Sequence, residues 1–213
     1  MASSSETSET TTSPAVDARD VCDVAIVGAG PGGLAAALAL QRRGYDVRVF
    51  ERREAFRPAG VAVFIWPHGL EHLKRIDAAT CARVVAAGAA IDTIAVERLD
   101  PGATEPEELL TINVAGWSER MDLPPQIGIT WARLTDALRA GLEPGTIRLG
   151  HALDGVRDDA AEGVTLTFAP TRSGAPAPPP ARARLCVVGC LLYTSPEPTR
   201  PRLSSYAVFC LKK

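Results

Sequence analysis

The sequence has few aromatic side chains and no regular cysteine pattern. Aromatic residues account for 5% of its 213 positions, and its five cysteines include no closely spaced pair followed by histidines. This excludes the disulfide framework of small secreted domains and the usual structural zinc motif. His68, His72 and His151 form no metal-binding motif, so no metal is predicted. Because free thiols are typical of a reducing compartment, we expect a cytoplasmic protein.

An excess of charge of either sign is also missing. The 23 Lys and Arg residues nearly balance the 25 Asp and Glu residues, which gives a formal net charge of −2. Proteins that bind nucleic acid or an anionic membrane through their surface usually carry a basic excess. We therefore expect neither of these partners.

The longest uncharged stretch, residues 24–40, does not predict a membrane span. The run GAGPGG at 28–33 interrupts it where a spanning helix would have to continue. The stretch is better explained by a strand over 23–27, a tight turn and a helix over 31–43, followed by a second strand over 46–51. Together these segments form a complete βαβ unit.

The rest of the chain is predicted to contain an N-terminal tail, three helices and eight strands. Residues 1–18 are rich in Ser, Thr and Glu and are predicted to be a disordered tail, neither a secretory signal nor a transit peptide. Apolar patterning predicts helices over 68–76, 79–90 and 131–141, and strands over 61–65, 91–99, 109–114, 127–130, 146–149, 152–157, 164–168 and 183–188.

Gly28, Gly30 and Gly33 form the pattern G-x-G-x-x-G between the first strand and its helix. Gly28 permits the sharp turn, Gly30 lets backbone amides approach a diphosphate, and Gly33 lets the helix pack closely on the strand. Glu51 ends the second strand 18 residues after Gly33. An acid there accepts hydrogen bonds from a ribose hydroxyl and repels a 2′-phosphate. The pattern predicts a site for an ADP-containing dinucleotide, either NAD or FAD, with a purely structural glycine turn as the alternative.

Residues 22–73, and especially FERREAFRPAGVAVFIWPHGLEHL, resemble the start of the group A flavin-dependent monooxygenases. This is the family of p-hydroxybenzoate hydroxylase, urate hydroxylase and zeaxanthin epoxidase. The helix from Trp131 and the segment TIRLGHALDGVRDDAAEGVTLTF resemble later landmarks. The resemblance implies an α/β, Rossmann-like FAD-binding fold of the glutathione-reductase type, C-terminally truncated. The FAD-binding domain would occupy 19–90 and 128–189, and 91–127 would begin a β-rich substrate domain.

The resemblance also implies a set of cofactor contacts. Glu51 would hold the adenosine ribose with Arg52 beside it, and Arg57 and Phe64 would lie near the flavin. Leu153 would contact the adenine through its backbone. Four glycines would hold the FAD diphosphate: Gly28, Gly30, Gly32 and Gly33. The alternatives are solvated surface cations for Arg52 and Arg57, and core packing for Phe64 and Leu153.

The activity implied by the resemblance is hydroxylation of an aromatic or other electron-rich small molecule. It would use FAD as cofactor, NAD(P)H as co-substrate and O2. Trp131 stands where many family members carry an arginine close to the flavin, and no catalytic residue is assigned. A related flavin reductase or oxidase, and a non-catalytic fragment that only binds FAD or ADP, are the alternatives. The motifs leave the substrate and the oligomeric state open.

Residues 190–213, CLLYTSPEPTRPRLSSYAVFCLKK, depart from the family, which continues with an A-D-G motif after a strand like 184–189. The peptides at 190–195 and 205–212 match translations of a transposon-type sequencing adapter. We therefore expect the native sequence to differ from this one after about Gly189. An unusual but genuine C-terminus is the alternative.

Overall fold

A computed structural model describes residues 21–56, 61–98, 100–102, 104–159 and 163–189. The tails predicted at 1–18 and 190–213, and Arg57, lie outside these ranges. In chain order the elements are β1 (Val21–Val27), α1 (Pro31–Gln41), β2 (Val47–Glu51), β3 (Ala62–Ile65), α2 (Pro67–Ile76), α3 (Ala78–Ala87), β4 (Ala89–Ala90), β5 (Thr93–Arg98), β6 (Glu107–Asn113), α4 (Val114–Arg120), β7 (Ile127–Thr130), α5 (Trp131–Arg139), β8 (Ile147–Leu149), β9 (Ala152–Asp159), β10 (Gly163–Ala169) and β11 (Ala181–Val188).

The main sheet has six strands in the order β8-β2-β1-β11-β10-β9. The first four run parallel, and β10 and β9 continue the sheet in antiparallel orientation. Val24 of β1 lies between Val47 of β2 and Leu185 of β11. Parallel strands joined through a helix, as β1 and β2 are by α1, are the hallmark of the Rossmann-like arrangement. The predicted α/β fold class is confirmed.

Both faces of the main sheet are covered. From Val24 onward the side chains of β1 alternate, with Val24 and Ile26 packing towards α1 and Ala25 and Val27 towards the opposite face. Helix α1 contacts β1 and β2 on one side and α2 and α5 on its other sides. Because α1 packs against neighbours on several sides, its sequence carries no charged residue. None of the helices in the described ranges is long and apolar enough to cross a bilayer.

Asp77, between α2 and α3, holds three helices together. Its carboxylate accepts a hydrogen bond from the Thr80 N–H at 2.9 Å and so caps α3, and it also pairs with Arg42 Nε at 3.1 Å. Arg42, just after α1, also donates to the carbonyl of Gly141 beyond α5 at 3.3 Å. The hydrogen bond from the Thr80 hydroxyl, together with Arg42, lowers the pKa of Asp77. The ionised carboxylate therefore stabilises this junction.

The remaining strands form two small sheets. Strands β3, β7 and β4 make one antiparallel sheet, and β5 and β6 pair as a separate hairpin. Large apolar side chains on that hairpin are about half exposed: Val96 (45%), Leu109 (53%) and Leu110 (52%). The hairpin thus has an apolar surface that the described residues leave uncovered.

Two segments differ from the sequence prediction. The helix predicted over 79–90 ends at Ala87, because Gly88 turns the chain and Ala89–Ala90 pairs with β7. Helix α4 was not predicted, although Asn113 caps it by accepting a hydrogen bond from the Gly116 N–H at 2.7 Å. An Asn before a short helix is a common capping signal, but seven residues give too little periodicity to detect.

Candidate cofactor-binding site

The turn between β1 and α1 is built around two glycines with different constraints. Gly28 has a φ of 101°, which favours glycine, and its N–H donates to the carbonyl of Phe50 at 2.8 Å. A Cβ at Gly33 would overlap the Gly28 carbonyl oxygen and lie 3.2 Å from its carbonyl carbon. The first turn of α1 therefore lies directly against the end of β1.

Gly30 and Gly32 have more room. A Cβ at Gly30 would lie 3.9 Å from Cζ2 of the Trp131 indole, and a Cβ at Gly32 would meet no atom within 4 Å. Gly30 is also the residue before Pro31, where α1 begins, and it faces the neighbouring cavity. The open space at Gly30 leaves the backbone of this residue accessible to a ligand.

A cavity of about 500 Å³ lies beside this turn. Its volume falls in the range usual for small-molecule and cofactor sites. It is bounded by the ends of β1, β2 and β11, the start of α5 and the first residues of β9. The lining residues are Val27, Gly28, Ala29, Gly30, Phe50, Glu51, Arg52, Arg53, Phe56, Trp131, Thr135, His151, Ala152, Leu153, Val188 and Gly189.

Glu51 connects the walls of the cavity. Its Oε2 accepts a hydrogen bond from the Ala29 N–H at 2.9 Å, and its Oε1 accepts one from the Arg53 N–H at 3.0 Å. Its backbone carbonyl accepts from the His151 N–H at 2.9 Å. A carboxylate has about four acceptor positions. Glu51 can therefore orient the glycine turn and still accept hydrogen bonds from a ligand's hydroxyl groups.

The N-termini of two helices face the cavity. Gly30 precedes α1, and Trp131 is the first residue of α5. Thr130 caps α5 by accepting a hydrogen bond from the Arg133 N–H at 3.3 Å, and the Trp131 N–H donates to the carbonyl of Val61 at 2.8 Å. Since helix N-termini carry partial positive charge, their convergence favours an anionic group such as a diphosphate.

The end of β11 closes the cavity against the glycine turn. The Gly189 N–H donates to the Val27 carbonyl at 2.9 Å, and a Cβ at Gly189 would lie 3.3 Å from Cα of Gly33. A side chain at Gly189 would therefore press on the first turn of α1. Gly189 was not among the predicted site residues.

The structure brings most of the predicted contacts to this cavity. Gly28, Gly30, Glu51, Arg52 and Leu153 line it. Gly33 packs behind the turn, and Gly32 borders open space. Phe64 lies elsewhere, opposite Gly128 in the β3–β7 pair, with 67% of its surface exposed.

The sequence reasoning missed the cavity residues Thr135 and His151, which belong to no phosphate-binding motif. Trp131, which stands where many family members carry an arginine close to the flavin, also lines the cavity. His151 could have been found from its position two residues before Leu153, since alternate residues of an extended segment point to the same side. Within the described ranges, no group of three or more His, Cys, Asp or Glu side chains is placed to hold a metal ion.

Residues 21–164 match the family model described as FAD binding domain. The chain belongs to this family. Membership in the FAD binding domain family confirms the predicted relationship to flavin-dependent monooxygenases and accounts for the glycine turn followed by an acid. It also separates FAD from NAD, which the glycine pattern alone had left open.

Curated relatives match about a quarter of the chain. A 2-heptyl-3-hydroxy-4(1H)-quinolone synthase from Mycobacteroides abscessus is 48% identical over 54 residues, which are 25% of this chain and 14% of the relative. An FAD-dependent urate hydroxylase from Klebsiella pneumoniae is 44% identical over 46 residues, 22% of this chain and 12% of the relative. The matched part thus spans about one seventh of the length of these proteins.

Solved structures match over more of the chain. Klebsiella pneumoniae HpxO, complexed with FAD and uric acid, has a TM-score of 0.60 at 23% identity and covers 77% of this chain and 38% of its own. The p-nitrophenol 4-monooxygenase PnpA from Pseudomonas putida has a TM-score of 0.66 at 21% identity, covering 79% of this chain and 41% of its own. These similarities confirm the fold, and the chain spans about two fifths of the length of these proteins.

Proposed function

We propose that the cavity binds the ADP half of FAD, and that the chain is the FAD-binding part of a cytoplasmic monooxygenase. The observation that carries the proposal is the meeting of the glycine turn, two helix N-termini and the Glu51 carboxylate at one cavity. This combination suits a diphosphate linked to a ribose. The same acid would repel the 2′-phosphate of NADP.

The residues present fit the cofactor. Gly28 makes the turn, Gly30 presents an open backbone to the diphosphate, and Gly33 keeps α1 close enough for its N-terminus to reach it. Glu51 accepts hydrogen bonds from the ribose hydroxyls, with Arg52 at the rim. Leu153, which lines the cavity, would contact the adenine through its backbone. Gly32, Arg57 and Phe64 remain proposed cofactor contacts on the strength of the family resemblance alone.

FAD, when bound, supplies the redox chemistry with NAD(P)H and O2. The part left to this chain is to bind and orient the cofactor and to keep water from its diphosphate. Relatives named for urate, 6-hydroxynicotinate and p-nitrophenol all act on aromatic or heteroaromatic rings. We propose an aromatic or other electron-rich small molecule as the substrate class.

The division of the chain follows from the same proposal. Residues 19–90 and 128–189 would form the FAD-binding domain, and 91–127 would begin the substrate domain. The β5–β6 hairpin supports this division, because its strands pair with each other and not with the main sheet. Residues 190–213 remain proposed to be non-native. Binding of FAD or ADP without turnover is a second candidate function, since the features that meet at the cavity serve binding.

To test the proposal, the purified chain is titrated with FAD. Binding is monitored by flavin absorbance at about 450 nm and by calorimetry. We expect stoichiometric binding, and a loss of affinity of about tenfold or more in Glu51→Gln, because a charge-assisted hydrogen bond contributes about 1.5–3 kcal/mol. Glu54→Gln is the matched control, since Glu54 pairs with Arg172 and Thr171 and does not line the cavity.

No binding of FAD or ADP by the wild-type chain would overturn the proposal. If Glu51→Gln and Glu54→Gln bind FAD with equal affinity, Glu51 makes no contribution to cofactor binding. Consumption of NAD(P)H and O2 stimulated by an aromatic compound separates the monooxygenase from a reductase or from a binding protein.

A further inference from the structure

His151 lies at the end of the cavity that is formed by β2 and β9. It immediately precedes β9, and its N–H donates to the backbone carbonyl of Glu51 at 2.9 Å. It lines the cavity together with Glu51 and Leu153, and it is half-buried. His151 therefore stands between the acid proposed to bind the ribose and the segment proposed to contact the adenine.

The His151 ring is fixed in one orientation. Its centroid lies 4.9 Å from that of Phe168 with the planes at 83°, an edge-to-face contact, and 5.5 Å from that of Phe50. Its Nδ1 lies 2.8 Å from the backbone carbonyl oxygen of Leu149. These three contacts hold the imidazole in place before any ligand binds.

The contact with Leu149 also settles the tautomer. A carbonyl oxygen only accepts hydrogen bonds, so Nδ1 must carry the proton. In the neutral ring Nε2 then has a free lone pair and acts as an acceptor. Within the described ranges, Nε2 has no hydrogen-bond partner. His151, which lines the cavity, therefore offers a fixed acceptor that the described residues do not use.

We propose that His151 is a further cofactor-binding residue, whose Nε2 accepts a hydrogen bond from the exocyclic amine of adenine. The inference rests on the proposed function, because it concerns the adenine end of the same cavity. Adenine linked to ribose has one hydrogen-bond donor, its amine. The ribose hydroxyls are left to the Glu51 carboxylate. His151 would thus make the site selective for adenine over purines without the amine.

The experiment compares ADP with purine riboside 5′-diphosphate, which differs from ADP only by lacking the amine. Calorimetry gives the affinity of the wild-type chain for each. We expect ADP to bind about two- to twelvefold more tightly, the difference that one net hydrogen bond makes. In His151→Phe, which keeps an aromatic ring beside Phe50 and Phe168, we expect the two nucleotides to bind with equal affinity.

His151→Phe also loses the hydrogen bond to the Leu149 carbonyl, and a second variant controls for this loss. In His151→Asn the amide can take the place of Nδ1 but offers nothing at Nε2, and the preference for ADP should again disappear. Unchanged affinity for purine riboside 5′-diphosphate in both variants shows that the cavity is intact. If both variants still prefer ADP, the proposed role of His151 is overturned, but the proposed function is not. Failure of the wild-type chain to bind either nucleotide overturns the proposed function as well.

Discussion

Gly33→Ala is expected to disrupt the site through the backbone. The new Cβ would approach the Gly28 carbonyl oxygen about 1 Å more closely than Cβ atoms in real proteins approach any neighbouring atom. It would also lie 3.4 Å from Cγ2 of Ile26. The obstacle is main chain, so relief requires α1 to move away from β1. Overpacking usually costs about 1–3 kcal/mol, and we expect a loss of at least about 3 kcal/mol here, because no side chain can rotate aside. That is a large share of the roughly 5–15 kcal/mol that stabilises a typical domain.

Gly32→Ala is the matched control one residue away. Its Cβ meets nothing within 4 Å, so we expect unchanged stability or a gain of up to about 1 kcal/mol from the reduced entropy of the unfolded chain. Urea unfolding followed by circular dichroism measures both variants, and calorimetry measures ADP binding. Gly33→Ala should unfold at lower urea and lose ADP affinity. Equal urea midpoints for the two variants would refute the steric argument.

Three further predictions concern the helix junction, the half-buried thiol of Cys186 and the indole beside the glycine turn. Asp77→Asn should cost about 1 kcal/mol at neutral pH. Because the folded pKa of Asp77 is lowered, its contribution is present above its ordinary pKa of 3.8 and lost as pH falls through the folded value. Acid titration of the unfolding free energy should show a shallower decline in the variant; identical slopes would contradict this. Burial raises the pKa of Cys186 to about 11. With Cys190 and Cys210 changed to Ser, the folded chain should therefore react slowly with a thiol reagent at pH 8, and rapid labelling before urea is added would contradict this. FAD should quench tryptophan emission mainly through Trp131, since the other two tryptophans lie outside the cavity. If FAD quenched the tryptophan emission of Trp131→Phe as fully as that of the wild-type chain, this prediction would be contradicted.

The sequence was most informative where local chemistry and tertiary structure make the same demand. The βαβ unit could be predicted because apolar periodicity, the glycine turn and Glu51 all fall in one short segment. The separation of 18 residues between Gly33 and Glu51 already places the acid beside the turn. The family match over 21–164 confirms that part of the reasoning.

The remaining features depend on contacts between distant segments. His151 lines the cavity because β8, which ends two residues before it, pairs with β2 and places Leu149 opposite Glu51. That pairing joins segments that lie far apart in the sequence. Trp131 faces Gly30 because α5 packs on α1. Helix α4 was too short to show a period, and the end of α3 depended on the pairing of Ala89 with Gly128.

The central position of β11 has a consequence for synthesis of the chain. This strand pairs with β1, and Asp23 approaches Arg184 across 161 residues of sequence. On the ribosome, β1, α1 and β2 emerge early, but the edge of β1 has no partner until residues 181–188 have been made. Such long-range pairing is slow to form, and an unpaired strand edge is prone to associate with other chains. The cofactor cavity, whose last wall is Val188 and Gly189, is therefore completed only after these residues have been made.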